Sequence, residues 1–283
     1  MADGVYALVG TADDIAPANG GRVGNSGFIV GRHSVTVVDA GVSHAHGEEI
    51  LAAIRRVTPL PLGRLVLTHA VQEFIYGTTA LAAAGASPLC HSQSAALMRR
   101  RCEHCLAGLR AELGATVMAG TRLMVPDDTV DGSLTFDADG RVLELIHPGW
   151  AATPGDLMVL DRSTGTLFAG GVLIHGRVPE IRDGRLEAWI RVVDDLARRT
   201  DLRVVVPGHG PPMEAAAIAR TADYLRALDR RVRALMDRGA SLMEAIEDGA
   251  VEGFAGWSGL DTVHRRNVQL RYLELEAAEM DRP

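Results

Sequence analysis

Short apolar runs alternate along the chain with longer segments whose apolar residues recur at helical spacing. Short runs rich in valine, leucine and isoleucine are typical of buried strands, and amphipathic segments are typical of helices that cover a sheet. The runs predict strands over residues 4–9, 27–30, 35–39, 65–67, 88–90, 123–125, 134–136, 142–146, 157–160, 166–168 and 204–206.

Helices are predicted between these strands over residues 48–56, 78–84, 94–113 and 186–197. From residue 213 onward the pattern is helical, with breaks at Gly239 and around residues 253–259. Alternating strands and helices are typical of a layered α/β fold.

Two segments of the chain share one pattern. Residues 27–41 and residues 157–171 each predict a hairpin that ends in a turn of small residues. The sequence shows no linker between domains, so we predict a single domain over residues 1–283. Its core would cover about residues 1–212, and a C-terminal helical extension of about residues 213–283 would pack on the same body.

The composition argues against two classes of partner, nucleic acids and membranes. The chain has 283 residues, a hydrophobic fraction of 47% and a formal net charge of −7, which together indicate a globular protein with a sizeable core. The acidic balance argues against a nucleic-acid surface, although all 29 basic residues are arginines. Apolar runs such as residues 80–84 are too short to span a bilayer, so no membrane partner is expected.

The number of cysteines and the first residues of the chain predict the cellular compartment. The chain has 3 cysteines, an odd number, and no basic-then-apolar leader precedes the first strand. We therefore predict reduced thiols in a cytoplasmic protein, or a periplasmic protein if the chain is a trimmed mature form. Cys102 and Cys105 form a C-x-x-C pair on one face of a predicted helix, and we interpret them as buried or half-buried thiols.

The most informative segment is residues 68–77, Thr-His-Ala-Val-Gln-Glu-Phe-Ile-Tyr-Gly, which follows the apolar run at residues 65–67. Its spacing resembles the T-H-x-H-x-D-H-x-x-G metal-binding loop of the metallo-β-lactamase superfamily. Further segments resemble that superfamily in the same order, namely residues 25–30, 35–41, 151–156, 167–171 and 206–211. Within it, the chain looks closest to the bacterial quinoprotein relay-system metallohydrolases, whose loop ending, glycine-turn hairpin and tail are similar to residues 75–77, 164–171 and 264–276.

The resemblance implies an αββα four-layer sandwich of metallo-β-lactamase type, with the active site at one edge between two similar halves. It also implies seven ligand positions for two metal ions. The positions that would bind the first ion are occupied here by His69, Val71 and Ala152. Those that would bind the second ion are occupied by Glu73, Phe74 and His209, and the position that would bridge the two ions is Gly171.

Only His69, Glu73 and His209 keep side chains that can bind a metal, and they are divided between the two sites. A catalytic zinc site needs about three protein ligands and an open position for water. We therefore expect no cofactor and no ordinary dinuclear zinc hydrolase activity, with these three residues as remnants of low metal occupancy. The same three are the candidates for catalysis if His69 and Glu73 act as a metal-free acid and base.

Other histidines offer a different route to a metal site. His44 and His46 form an H-x-H pair that is predicted to lie on a loop near the site, and His175 follows Gly171 on the same strand exit. His147 precedes the loop that carries Ala152. Each could replace a lost ligand, or could simply be solvated or hydrogen-bonded.

Three functions stay open at this point. The first is a non-catalytic pseudoenzyme that binds an uncharged or aromatic small molecule in the old cleft, lined by Val71, Phe74, Ala152 and Trp150. The alternative is a metal-dependent hydrolase of esters, thioesters or lactams that uses zinc in a single or non-standard site. The third is partner binding through the arginine-rich segment 227–238. A homo-oligomer is compatible with each of them.

Overall fold

Two β-sheets, packed face to face with helices on their outer faces, form the centre of the fold. The structure is a computed structural model that describes residues 1–280. The first sheet and its helices comprise β1 (Val5–Leu8), β2 (Ser26–Val30), β3 (Val35–Val38), α1 (His44–Val57), β4 (Leu62–Val66), α2 (Gln72–Ile75), α3 (Thr78–Ala83), β5 (Ser87–His91), α4 (Ser92–Val117) and β6 (Asp128–Val130).

The second half contains the other sheet and the C-terminal helices. Its elements are β7 (Leu134–Asp137), β8 (Val142–Ile146), β9 (Met158–Asp161), β10 (Thr166–Ile174), α5 (Leu186–Ala197), β11 (Val204–His209), α6 (Ala219–Asp237), α7 (Leu242–Asp248) and α8 (Arg265–Met280). In the first sheet the strands run in the order β1-β2-β3-β4-β5-β6, and in the second sheet in the order β11-β10-β9-β8-β7.

The two similar sequence segments occupy corresponding places in the two halves. β2 and β3 form an antiparallel hairpin whose second strand pairs in parallel with β4. β9 and β10 form the same hairpin in the other sheet, and β10 pairs in parallel with β11. The predicted αββα arrangement is therefore confirmed, with a C-terminal helical extension after β11.

Three apolar clusters hold the layers together. Phe28, Val37 and Leu65 point from the first sheet toward α1 and α4, and Leu167 and Val205 point from the second sheet toward α5 and α6. Between the sheets lies a third cluster that contains Ile29, Val38, Val66, Val159, Phe168 and Val206. Adjacent residues of one strand thus serve different layers, because successive strand side chains point to opposite faces.

Some predicted boundaries were wrong. The strand after α4 is β6 at Asp128–Val130, not residues 123–125, which form no ladder although Leu123 and Val125 pack against the first core. α1 begins at His44 and not at residue 48, because the hydroxyl of Ser43 accepts a hydrogen bond from the backbone N–H of His46 and caps the helix.

The helices after β11 pack on the second sheet. Leu228, Val232 and Leu235 of α6 belong to the apolar cluster of that sheet. On this helix, Arg226 bonds to Asp194 and Arg231 bonds to the carbonyl oxygen of Asp248. Within residues 1–280, no helix is long and apolar enough to cross a membrane.

Candidate functional site

A cleft of about 400 Å³ lies where β4, β10 and β11 end. The chain leaves β4 at Val66 and enters the loop that carries His69 and Glu73, while β11 itself ends at His209. The cleft brings together six of the seven sequence-predicted ligand positions: His69, Val71, Glu73, Ala152, Gly171 and His209.

The seventh position, Phe74, does not line the cleft, which corrects the sequence prediction. Its side chain is fully buried, and its ring centroid lies 4.4 Å from that of His69 and 5.3 Å from that of His209. Trp150 also lies outside the cleft, where its indole N–H donates to the carbonyl oxygen of Asp183 at 2.6 Å. The apolar part of the lining includes Val71, Ala152 and other aliphatic side chains, together with Trp189.

His69 is held by a buried chain of hydrogen bonds. The Thr68 hydroxyl donates to Asp39, with Oγ1–Oδ2 at 2.8 Å, and lies 2.7 Å from Nδ1 of His69. Because the hydroxyl has one hydrogen and gives it to Asp39, it accepts from the Nδ1–H of His69. Burial lowers the pKa of His69 to about 4, so the ring is neutral at neutral pH and Nε2 carries a lone pair.

The other end of that chain is a buried carboxyl group. Burial raises the pKa of Asp39 to about 7, although the backbone and side-chain hydrogen bonds from Thr68 lower it. The backbone N–H of Thr68 also donates to Oδ1 of Asp39 at 2.8 Å. The hydrogen bonds between Asp39 and Thr68 therefore connect the turn after β3 to the loop after β4, next to His69.

Glu73 and His209 form a pair of their own. Oε1 of Glu73 lies 3.1 Å from Nε2 of His209, and both side chains are about nine-tenths buried. Burial raises the pKa of Glu73, but the hydrogen bond and charge of His209 outweigh burial and hold that pKa below its usual value. Nε2 of His209 thus donates to a carboxylate, and Nδ1 has no hydrogen-bond partner within the described residues.

The loop that carries Ala152 keeps its supporting carboxylate. Asp156 accepts hydrogen bonds from the backbone N–H and the hydroxyl of Thr153 at 2.9 and 2.6 Å. Burial raises the pKa of Asp156 to about 7, against those hydrogen bonds. The backbone of this loop is therefore held in place although its ligand position carries only a methyl group.

Two glycines leave room for the rings of Phe74 and His69 beside the cleft. A Cβ atom at Gly24 would lie 2.7 Å from Cε1 and Cζ of Phe74. A Cβ atom at Gly171 would lie 2.8 Å from Cδ2 and 2.9 Å from Nε2 of His69. The rings of Phe74 and His69 occupy space that a longer side chain at either position would need.

Substituting Gly24 with alanine is expected to lower the free energy of unfolding by about 1–3 kcal/mol, because the buried Phe74 ring cannot move away without strain. Thermal or denaturant unfolding measures the change. The matched control is Gly108→Ala in α4, where nothing lies within 4 Å of the new methyl group. That control should gain about 0.5–1 kcal/mol from helix propensity. A double variant tests the contact. If Gly24→Ala lowers the free energy of unfolding by the same amount in the wild-type chain and in the Phe74→Ala variant, the Phe74 ring is not the cause of the loss.

The residues at these positions do not fit a dinuclear zinc centre. Val71, Ala152 and Gly171 offer no side-chain donor, and Glu73 and His209 are bonded to each other. Within residues 1–280, no three His, Cys, Asp or Glu side chains form a group that could hold a metal ion.

The substitute histidines lie in other surroundings. His44 and His46 lie in the first turn of α1, not on a loop; Nδ1 of His44 is 3.0 Å from Oγ1 of Thr79, and Nδ1 of His46 accepts from the backbone N–H of Val42 at 3.3 Å. Nδ1 of His175 lies 3.1 Å from the carbonyl oxygen of Pro211. His147 stacks on His91, with ring centroids 4.0 Å apart. Among the described residues that line the cleft, none is one of these histidines.

Sequence reasoning missed a second group of cleft residues. Four arginines, from segments far apart in the sequence, line the cleft: Arg101, Arg177, Arg182 and Arg266. Cys105 lines it as well, whereas Cys102 is buried and burial raises the pKa of its thiol to about 11. Apart from the arginine-rich composition, no local motif marks these side chains.

Comparison with known proteins places this geometry in a family. A family model described as the metallo-beta-lactamase superfamily matches residues 19–209. A metallo-beta-lactamase from Pontibacter korlensis is similar with a TM-score of 0.61 and 21% identity, over 72% of this chain and 87% of that chain. One from Erythrobacter litoralis is similar with a TM-score of 0.61 and 23% identity, over 80% and 94%.

A longer protein shares the fold over the whole chain. The stereoselective inverting sec-alkylsulfatase from Pseudomonas sp. is similar with a TM-score of 0.73 and 16% identity, covering 100% of this chain and 51% of the alkylsulfatase. At these identities, the likeness to the solved structures shows a shared fold.

Proposed function

This chain belongs to the metallo-beta-lactamase superfamily, and we propose that it binds a small molecule in the superfamily's cleft without a dinuclear zinc centre. The observation that carries the proposal is the lack of a side-chain donor at Val71, Ala152 and Gly171, together with the pairing of Glu73 with His209. His69 uses Nδ1 on Thr68, so its Nε2 atom is left without enough partners to complete a zinc site. The cleft nevertheless stays open, with a volume of about 400 Å³.

The lining suits binding better than metal-assisted hydrolysis. Val71 and Ala152 replace nitrogen donors with hydrocarbon, which a metal ion cannot use and an apolar ligand can. The volume is within the range of roughly 300–1,000 Å³ found for small-molecule pockets. The polar groups at the floor are few and fixed, as in sites that orient a ligand.

Metal content tests whether the chain lacks a dinuclear zinc centre. Untagged protein is purified without chelator, dialysed against trace zinc and examined by elemental analysis. We expect less than about a tenth of an equivalent of zinc per chain, because tight zinc sites need more ligands than this cleft supplies. His69→Ala should leave that value unchanged, as should the matched control His33→Ala at an exposed histidine.

A full equivalent of zinc that disappears in His69→Ala but persists in His33→Ala would contradict the proposal. It would support the alternative of a hydrolase with a single or non-standard metal site. Assays with ester, thioester and lactam substrates would then be the next measurement.

A further inference from the structure

The wall of the cleft formed by Arg177, Arg182 and Arg266 carries an excess of positive charge; we call these three residues the arginine wall. Nη2 of Arg177 lies 3.0 Å from Oδ1 of Asp14. Nη1 of Arg266 lies 2.8 Å from Oε1 of Glu180, and Nη2 of Arg182 bonds to the same oxygen. Three guanidiniums therefore share two carboxylates.

Sharing leaves donors free for a ligand. Arg182 and Arg266 both contact a single oxygen of Glu180, and each has five N–H donors. Their side chains are 47% and 46% exposed, so the unused donors are open to solvent. Asp14 also accepts a hydrogen bond at Oδ2 from the hydroxyl of Thr262, at 2.7 Å, in addition to its contact with Arg177.

Charge is distributed differently on the α4 side of the cleft. Arg101 is neutralised by a two-pronged ion pair with Asp183, in which Nη1 lies 2.6 Å from Oδ1. Glu112 adds a negative charge on the same helix. An anionic group would thus be attracted to the arginine wall and kept away from α4.

Apolar side chains lie between the arginine wall and the floor. Val71, Ala152, Ile174 and Val178 all line the cleft, and Val263 precedes α8 on the same side as Arg266. A ligand with a charged head at the arginine wall could therefore place a hydrocarbon body on these side chains. An inorganic anion would leave this surface uncovered, and a neutral hydrocarbon would leave the guanidinium donors unused.

We propose that the ligand of the cleft is an amphiphilic organic monoanion, with a carboxylate or equivalent anionic head on Arg182 and Arg266 and a short apolar body on the aliphatic side chains between the arginine wall and the floor. This inference rests on the proposed function, because it names the class of molecule that the cleft binds. It differs from the uncharged or aromatic ligand predicted from the sequence for this cleft, since the arginine wall comes from segments that are distant in sequence.

The test compares octanoate with 1-octanol by calorimetry on the full chain. Both probes have the same hydrocarbon length, and only octanoate has the charge. We expect octanoate to bind at least about tenfold more tightly, since a hydrogen bond to a charged group has about that effect on affinity. Added salt should weaken octanoate binding and leave octanol binding unchanged.

Variants then assign the head group to the arginine wall. Arg266→Gln should weaken octanoate about tenfold without changing octanol, and Glu180→Gln should strengthen octanoate because a competing carboxylate is removed. The matched control is Arg198→Gln, at an exposed ion pair outside the cleft, which should change neither affinity. Unchanged octanol affinity in Arg266→Gln also shows that this variant is folded.

Each other outcome overturns the inference. If octanol binds as tightly as octanoate, or if Arg266→Gln weakens both or neither, the anionic head group is wrong while binding in the cleft still stands. If neither probe binds the wild-type chain, the proposed binding function fails together with the inference.

Discussion

Phe74→Ala is expected to lower the free energy of unfolding by about 3–5 kcal/mol, the usual cost of deleting a fully buried aromatic ring. The ring lies between His69 and His209 and against Gly24, in the region where the family holds a metal ion. If hydrocarbon packing supports this region in place of a metal, removing the ring opens a cavity between the segments that carry His69, His209 and Gly24. Chemical denaturation of the purified variant measures the loss.

The control for this prediction is the same substitution at Phe136 on β7. That side chain is only half-buried, so its removal should cost clearly less than that of Phe74. A loss below about 1 kcal/mol at Phe74 would mean that the site tolerates the absence of both metal and ring. The former metal region would then be a loosely filled part of the cleft and not a repacked core.

Arg271→Ala is expected to cost about 3 kcal/mol, at the lower end of the range for breaking a buried ion pair. The Arg271 side chain is 2% exposed and bonds to Glu187 of α5, Asp229 of α6 and Glu274 of α8. The cost stays at the lower end because Glu187 and Glu274 are more than half exposed and regain water when the arginine is lost.

This substitution also tests the predicted single domain. If the C-terminal helices unfold together with the sheets, Arg271→Ala shifts one transition that far-UV circular dichroism and tryptophan fluorescence report alike. Arg233→Ala is the matched control, because this 47% exposed guanidinium also contacts Asp229 and should cost less than about 1 kcal/mol. Two separate transitions would show that the extension folds independently and would contradict the prediction.

The fold was predictable because its signal is local. The apolar runs at β3, β4 and β11 depend on neighbouring residues only, and each overlaps a strand of the structure, although β4 covers Leu62–Val66 and not residues 65–67. The boundaries were less accurate where a contact decides them. The cap on α1 involves one hydroxyl, and β6 forms by pairing with β5, which residues 123–125 do not reach.

The sequence predicted which residues meet at the site better than it predicted where each side chain lies. The resemblance to the superfamily predicted that His69, Glu73 and His209 share one site, and the cleft brings them together because the ends of β4 and β11 lie side by side in this fold. The sequence could not predict that Phe74 is buried and that Trp150 lies outside the cleft. Each position depends on where the packing of other segments leaves space for the ring. The assignment to the relay-system subgroup stays a prediction.

The sequence by itself determined the superfamily, the two-sheet architecture and which side chains stand at the seven positions, because strand patterns and residue identities are properties of single segments. Only the tertiary structure decided how those side chains pack and what the cleft presents to a ligand. The Glu73–His209 pair joins residues 136 positions apart, and the arginine wall joins the segment after β10 to α8. Such contacts depend on distances across the fold, which no local pattern of residues encodes.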